Sequence, residues 1–339
     1  MIRRHLFFVI VILSTALQAQ IGGRYTYQFL NLVSSPKQAA LGGKYATGYG
    51  DDPTAALLNP ATINVEMDNQ LAINYVNYIA DVNYGSIAYA KSLGSRQHTF
   101  HAGVTYINYG SFDGFDELGN ATGEFGASEA AASLGYAYTI PNSDVRVGAN
   151  VKFITSRLEE YSSLGGALDI GVIYHHPETK FDVGLAVRNL GMQFTTYNDV
   201  KEDLPLSVDL GIANTLANVP IRWNFTLENL QTWDIAFGNT ARDLTDLEGN
   251  VEKDDPGFFN NFLRHTVLGL ELFPDRGFTL RAGYNFRRSE ELRIENQRSF
   301  AGLSAGVSVK FGTFRFAYSY ARYNSAAASS TFGININFQ

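Results

Sequence analysis

The sequence contains no cysteine in its 339 residues, so neither a disulfide nor thiolate chemistry is available to it. Charge is also scarce. Asp, Glu, Lys and Arg make up 17% of the chain, against about 25% in an ordinary soluble domain. What charge there is sums to -7, which excludes the basic footprint of a nucleic-acid binder. After the amino terminus no stretch approaches the roughly 20 apolar residues that a membrane-crossing helix needs. A nucleophile elbow and a phosphate-binding glycine loop are likewise missing, and the six histidines at 5, 98, 101, 175, 176 and 265 show no zinc-ligand spacing. These absences argue against an enzyme, a bound metal and a cofactor.

The amino terminus reads as an export leader. Arg3 and Arg4 precede the apolar run Leu6 to Leu13, then Ser14, Thr15 and Ala16, with a cut expected after Ala19. Leu17, three positions before that cut, departs from the usual small residue. Removing Arg3 and Arg4 takes the formal charge from -7 to -9. An exported chain of this size without disulfides must draw its stability from its fold or from a membrane.

Aromatic residues and glycine are abundant, with 19 Tyr, 24 Phe and 32 Gly. The carboxy-terminal stretch FRFAYSYARYNSAAASSTFGININFQ shows their arrangement. Phe314, Phe316, Tyr318 and Tyr320 share one face, and Phe332, Ile334, Ile336 and Phe338 share another across a polar turn. Period two over nine to eleven residues is the length of a tilted membrane-crossing strand. The same pattern predicts strands at 71–80, 82–91, 97–109, 128–140, 144–156, 163–175, 179–189, 205–214, 219–228, 264–273, 277–287, 299–311, 313–323 and 327–338.

Periodicity alone fits a soluble sandwich equally well, because both bury one face of each strand. The connections separate the two. Those after even-numbered strands are short, as at 141–143, 274–276 and residue 312, whereas the long ones, 110–127, 190–204, 229–263 and 288–298, all follow odd-numbered strands. An up-and-down barrel with short periplasmic turns has this parity. The expectation is a 14-stranded antiparallel transmembrane β-barrel over 71–339, lying in outer-membrane lipid with both barrel termini periplasmic and assembled by the barrel assembly machinery. Residues 20–70 are irregular and precede it as a hatch inside the barrel or an arm beneath it. Asp51 or Asp52 before Pro53 starts a helical turn, and Asn59 with Pro60 stops it.

On the inner face Arg146, Lys152, Arg188, Arg222, Arg281, Arg287 and Lys310 are expected to meet Asp169, Asp182, Asp209, Glu228 and Glu271. Such a set either pairs into a network holding a plug or lines a hydrophilic pore. The loops are acidic, with Asp113, Asp116, Glu117 and Glu124 in one and Asp243, Asp246, Glu248, Glu252, Asp254 and Asp255 in the longest. Solvated loops account for them better than a cation site. Phe258, Phe259 and Phe262, in the FFNNF run of the longest loop, are the candidate contacts for a protein partner.

The strand count, Asn59, Pro60 and Ala61, and the near-terminal Phe338 resemble the FadL-like outer-membrane barrels, whose amino-terminal hatch carries an Asn-Pro-Ala motif. More specifically, YTYQFLNLVSSPKQAALGG (25–43) followed by DDPTAALLNPA (51–61) resembles the PorQ type of the PorV/FadL-like family, which serves the type IX secretion system of Bacteroidota. The resemblance implies a non-enzymatic scaffold or adaptor that works with other secretion or attachment proteins on cargo bearing a C-terminal sorting domain. It also implies a hatch role for Asn59, Pro60 and Ala61 and an assembly-signal role for Phe338. The alternative is a FadL-like transporter of hydrophobic small molecules.

Overall fold

The computed structural model describes residues 25–48, 50–80, 82–94, 97–236, 244–245, 251–252, 256–292, 300–324 and 327–338. The leader lies outside the described residues. Among them, fourteen antiparallel strands close into one barrel: β1 (Gln70–Asn77), β2 (Asn83–Leu93), β3 (His98–Phe115), β4 (Ala121–Thr139), β5 (Val145–Leu158), β6 (Tyr161–His176), β7 (Phe181–Thr195), β8 (Ser207–Thr215), β9 (Ile221–Leu227), β10 (Thr266–Leu272), β11 (Phe278–Asn285), β12 (Leu303–Phe311), β13 (Phe314–Arg322) and β14 (Ala328–Asn337). Each strand pairs with its sequence neighbour, and β14 returns to β1 from Gln70↔Asn337 to Asn77↔Ser330. Closure removes the edge at which unpaired amides and carbonyls would face hydrocarbon, each at a cost of several kcal/mol.

Alternation along each strand sorts the side chains. In β1, Ala72, Asn74 and Val76 are buried, whereas Ile73 and Tyr75 are exposed on the outside. The outer face is apolar and the inner face polar, the reverse of a soluble sandwich and the arrangement expected of a barrel in lipid. All connections at one end are short, none longer than 140–144; the other end carries 196–206, 228–265 and 286–302.

Several local expectations change. The segment 110–127 is not a loop: β3 and β4 run 18 and 19 residues and meet at a turn over 116–120. A register shift after Asn108, where Gly110 takes a φ of 85°, lets the hairpin continue. Strand β11 ends at Asn285, and Phe286–Glu291 forms a short helix, so Arg287 is not on a strand; it pairs with Glu291 at 2.9 Å on the helix. The FFNNF run is also helical, within Phe258–His265. These helices are named α2 (Phe258–His265) and α3 (Phe286–Glu291), after α1 (Pro36–Ala40).

The lumen holds the segment that precedes β1. It consists of α1 and four short 3-10 turns, Gln28–Asn31, Pro53–Leu57, Pro60–Thr62 and Val65–Met67. Helix α1 packs on β11 to β14, the Pro53–Leu57 turn on β1 to β3, and the Pro60–Thr62 turn on β4 to β7. The segment therefore touches the wall on every side. It enters at the long-loop end, where Tyr25 bridges Asp203 in the 196–206 connection, and leaves at the short-turn end into Gln70.

Candidate functional site: the lumen segment and its seat

The turn at Asn59, Pro60 and Ala61 is the tightest junction between segment and wall. Asn59 Oδ1 accepts from the Ala61 N–H at 3.0 Å, capping the turn, while its Nδ2 donates to the Ala46 carbonyl at 2.6 Å. One side chain thus ties two passes of the segment together. Pro60 then lays its carbonyl against Gly148 of β5, where an added Cβ would overlap backbone atoms of Pro60. Across the barrel Gly283 of β11 meets Leu41 and Gly42 in the same way. Glycine is required at both places because backbone approaches backbone, and neither partner can swing aside.

Polar groups fasten the remainder. Asn150 Nδ2 donates to the Ala56 carbonyl at 2.6 Å, Ser304 Oγ to the Ala40 carbonyl at 3.0 Å, and Asn74 Nδ2 to Thr54 Oγ1 at 2.8 Å. Asp52 accepts from the Thr54 N–H at 3.0 Å and from Ser35 Oγ at 2.7 Å, so it both starts the turn at Pro53 and holds the start of α1.

Ion pairs concentrate on β7 to β11. The Arg188 guanidinium is fully buried and lies 3.1 Å from Asp209, and Lys44 of the segment lies 3.7 Å from the same carboxylate. Arg188 also donates to the Leu30 carbonyl and to Asn31, both at 3.4 Å. Arg281 pairs with Glu271 at 2.8 Å, with Lys37 3.9 Å from Glu271; Arg222 pairs with Asp182 at 2.5 Å. Lys152 and Asp169 meet at 2.6 Å, and Arg315 holds Asp51 at 2.6 Å. The network-with-plug alternative thus describes these residues better than a pore lining. Lys310 alone of the described expected set is exposed, at the short-turn mouth.

At the long-loop end the seat is apolar. Tyr27, Phe29 and Leu30 pack with Val76, Tyr84, Ile107, Ile154 and Leu204 from the wall. Between segment and wall lie cavities of about 30 and 20 Å³, the first lined by Leu30, Leu58, Thr105 and Lys152 among others. Each has room for about one or two waters and no more. The short-turn mouth opens into a polar vestibule of about 870 Å³, where Lys37, Asp51, Arg222, Glu271, Arg281 and Arg315 converge.

The other expected residues lie apart. Phe338 is exposed beside the seam, its N–H bonded to the Asn69 carbonyl at 3.0 Å. Phe258 and Phe259 are exposed on α2, and Phe262 stacks on Phe225. Asp116 closes its own turn by accepting from Leu118 N–H and from Asn120, whose hydrogen bonds hold its carboxyl below the usual range. Asp243, Asp246, Glu248, Asp254 and Asp255 lie outside the described residues. Lys37, Lys44 and the Asn150 and Ser304 contacts were not singled out from sequence, since an irregular segment has no period to mark which side chains reach the wall.

No protein-family model matches the chain, and no curated protein sequence does. Solved structures do. The toluene transporter TbuX of Ralstonia pickettii is 14% identical with a TM-score of 0.55, over 91% of this chain and 99% of that one. The toluene transporter TodX of Pseudomonas putida is 13% identical with a TM-score of 0.51, over 89% and 96%. A FadL homologue of Pseudomonas aeruginosa superposes less closely, at 11% identity and a TM-score of 0.48, over 91% and 99%. The first two matches carry the fold assignment: this chain shares the closed 14-strand antiparallel barrel fold of those two structures.

Proposed function

We propose that this chain is a non-enzymatic outer-membrane scaffold or adaptor of the type IX secretion system, presenting its long-loop end to the secretion or attachment proteins that handle sorting-domain cargo. The observation that favours a fixed scaffold over an open pore is the seat of the lumen segment. Backbone packed on wall glycines, ion pairs on β7 to β11 and cavities of about 30 and 20 Å³ describe a tube filled by its own chain. A site for a small apolar ligand usually encloses about 300–1,000 Å³. The segments 25–43 and 51–61 supply the secretion-specific part through their resemblance to the PorQ type.

A second reading, a carrier of hydrophobic small molecules, is favoured by the fold of the two toluene transporters and by one feature of the wall. The β7/β8 ladder stops at Arg188↔Ser207, so β7 from Asn189 to Thr195 pairs with β6 alone, beside Tyr27 of the segment. Gene deletion in the host separates the two. The adaptor reading expects sorting-domain cargo to accumulate unprocessed with hydrophobic uptake unchanged. Normal cargo release together with lost uptake would establish the carrier instead.

A further inference from the structure

Helix α2 has its amphipathic faces the wrong way round for water. The side chains it buries are polar: Asn261, which accepts from the Ile235 and Ala236 N–H groups at 3.1 and 2.9 Å; Arg264, 3.8 Å from Glu291 of α3; and His265, whose ring nitrogens bond the Glu228 and Trp233 carbonyls at 2.6 and 2.9 Å. The side chains it turns outward are Phe258 and Phe259, 73% and 69% exposed, with Phe262 beside them. Trp233 extends this surface, stacking between Phe258 at 5.0 Å and His265 at 5.1 Å. A surface helix in water does the opposite.

The patch continues the face of the barrel that meets lipid. Phe262 stacks on Phe225 of β9 at 6.5 Å, and Phe225 stands on the outward register with Trp223, opposite Leu268 and Leu270 of β10. The wall there is also the lowest in the barrel. Strands β9 and β10 have seven residues each, about 23 Å along the strand and about 18 Å along the barrel axis at a usual tilt, against an apolar band about 25 Å tall. By contrast β3 to β7 have 14 to 19 residues.

We infer that α2 is a membrane-interface anchor: it lies against the outside of β9 and β10 at the long-loop end and sinks Phe258, Phe259 and Trp233 into the leaflet there, completing the apolar band where the strands stop short. Aromatic rings at that depth match the girdles that flank barrels of this kind, and buried polar groups on the protein side keep the helix fixed. The partner is lipid, and the argument is independent of the secretion or carrier reading.

The chain has two tryptophans, which makes the test direct. Full-length protein is reconstituted in phosphatidylcholine vesicles and in vesicles of the same lipid brominated high on the acyl chain. In the Trp223→Phe variant only Trp233 fluoresces; in Trp233→Phe only Trp223, on the lipid-facing wall, does, and it reports insertion. The anchor requires that bromine quench Trp233 and aqueous iodide leave it bright, and that Phe258→Ser with Phe259→Ser cut the bromine quenching by about twofold or more. If iodide quenches Trp233 while bromolipid quenches only Trp223, the helix stands in water and the inference fails.

Discussion

The two sides of this barrel hold the same segment by different physics. On the tall side, β3 to β7, contact is close and, apart from Arg188 of β7, largely uncharged: the Pro60 backbone lies on Gly148, and Tyr27, Phe29 and Leu30 pack against Ile107 and Ile154. On the low side, β8 to β11, the segment is held mainly through Lys44 with Asp209 and Lys37 with Glu271, although Gly283 also admits backbone there. The low side also has the shortest strands, and there Phe262 of α2 stacks on Phe225 of β9. The difference teaches that strand length and lumen filling are coupled. The tall side buries aromatic rings of the segment, whereas on the low side Lys37, Arg222, Glu271 and Arg281 line the vestibule.

Breaking the tall side should cost most. Gly148→Val drives a branched side chain into the Pro60 backbone, which cannot rotate away; the expected outcome is a barrel that no longer closes around its segment, seen as failed heat-modifiable migration or protease cleavage within 25–68. Asp209→Asn attacks the low side by leaving Arg188 and Lys44 buried without their shared carboxylate. Removing one partner of a buried pair costs about 3–5 kcal/mol, and the midpoint of guanidinium unfolding from vesicles should fall accordingly. If Asp209→Asn proves the more damaging of the two, the ranking of the two seats is reversed. Asn59→Ala, which removes the cap at Ala61 and the grip on Ala46, should cost about 1–2 kcal/mol, measured by the same midpoint. Replacing both Phe258 and Phe259 by serine should leave that midpoint within about 0.5 kcal/mol, since those rings lie outside the wall, and should alter only the membrane depth of Trp233.

Strand positions and barrel parity were legible because hydrocarbon imposes strict alternation on whatever crosses it. That constraint ends at the membrane surface, which is why Ser111–Phe115 and its partner across the turn, wet on both faces and acidic, read as a loop although they continue β3 and β4. The identities of inward charges such as Asp182, Arg188 and Asp209 were also readable. Their pairing was not, because Arg188 meets Asp209 only through the register of β7 with β8, and both meet Lys44 only through the path of an aperiodic segment. The inward glycines held the clearest trace of the plug, but sequence offers no way to tell a glycine beneath a hatch from one relieving barrel crowding. The FFNNF run was expected in an irregular loop; its helical phase, with Asn261, Arg264 and His265 buried on one face and Phe258 and Phe259 exposed on the other, was not legible because the run is too short to show a period.

The central claim is that the segment in the lumen is a fixed part of the tube. Ser34 Oγ of the segment donates to Ser86 Oγ of β2 at 2.8 Å, and the chain has no cysteine to interfere, so Ser34→Cys with Ser86→Cys can lock the two together. On the adaptor reading proposed above, the measurement is processing and release of sorting-domain cargo by cells carrying the oxidised, cross-linked barrel. The account predicts the wild-type level in locked and reduced states alike. Loss of function on oxidation, restored by reductant, would contradict it and show that the segment must move.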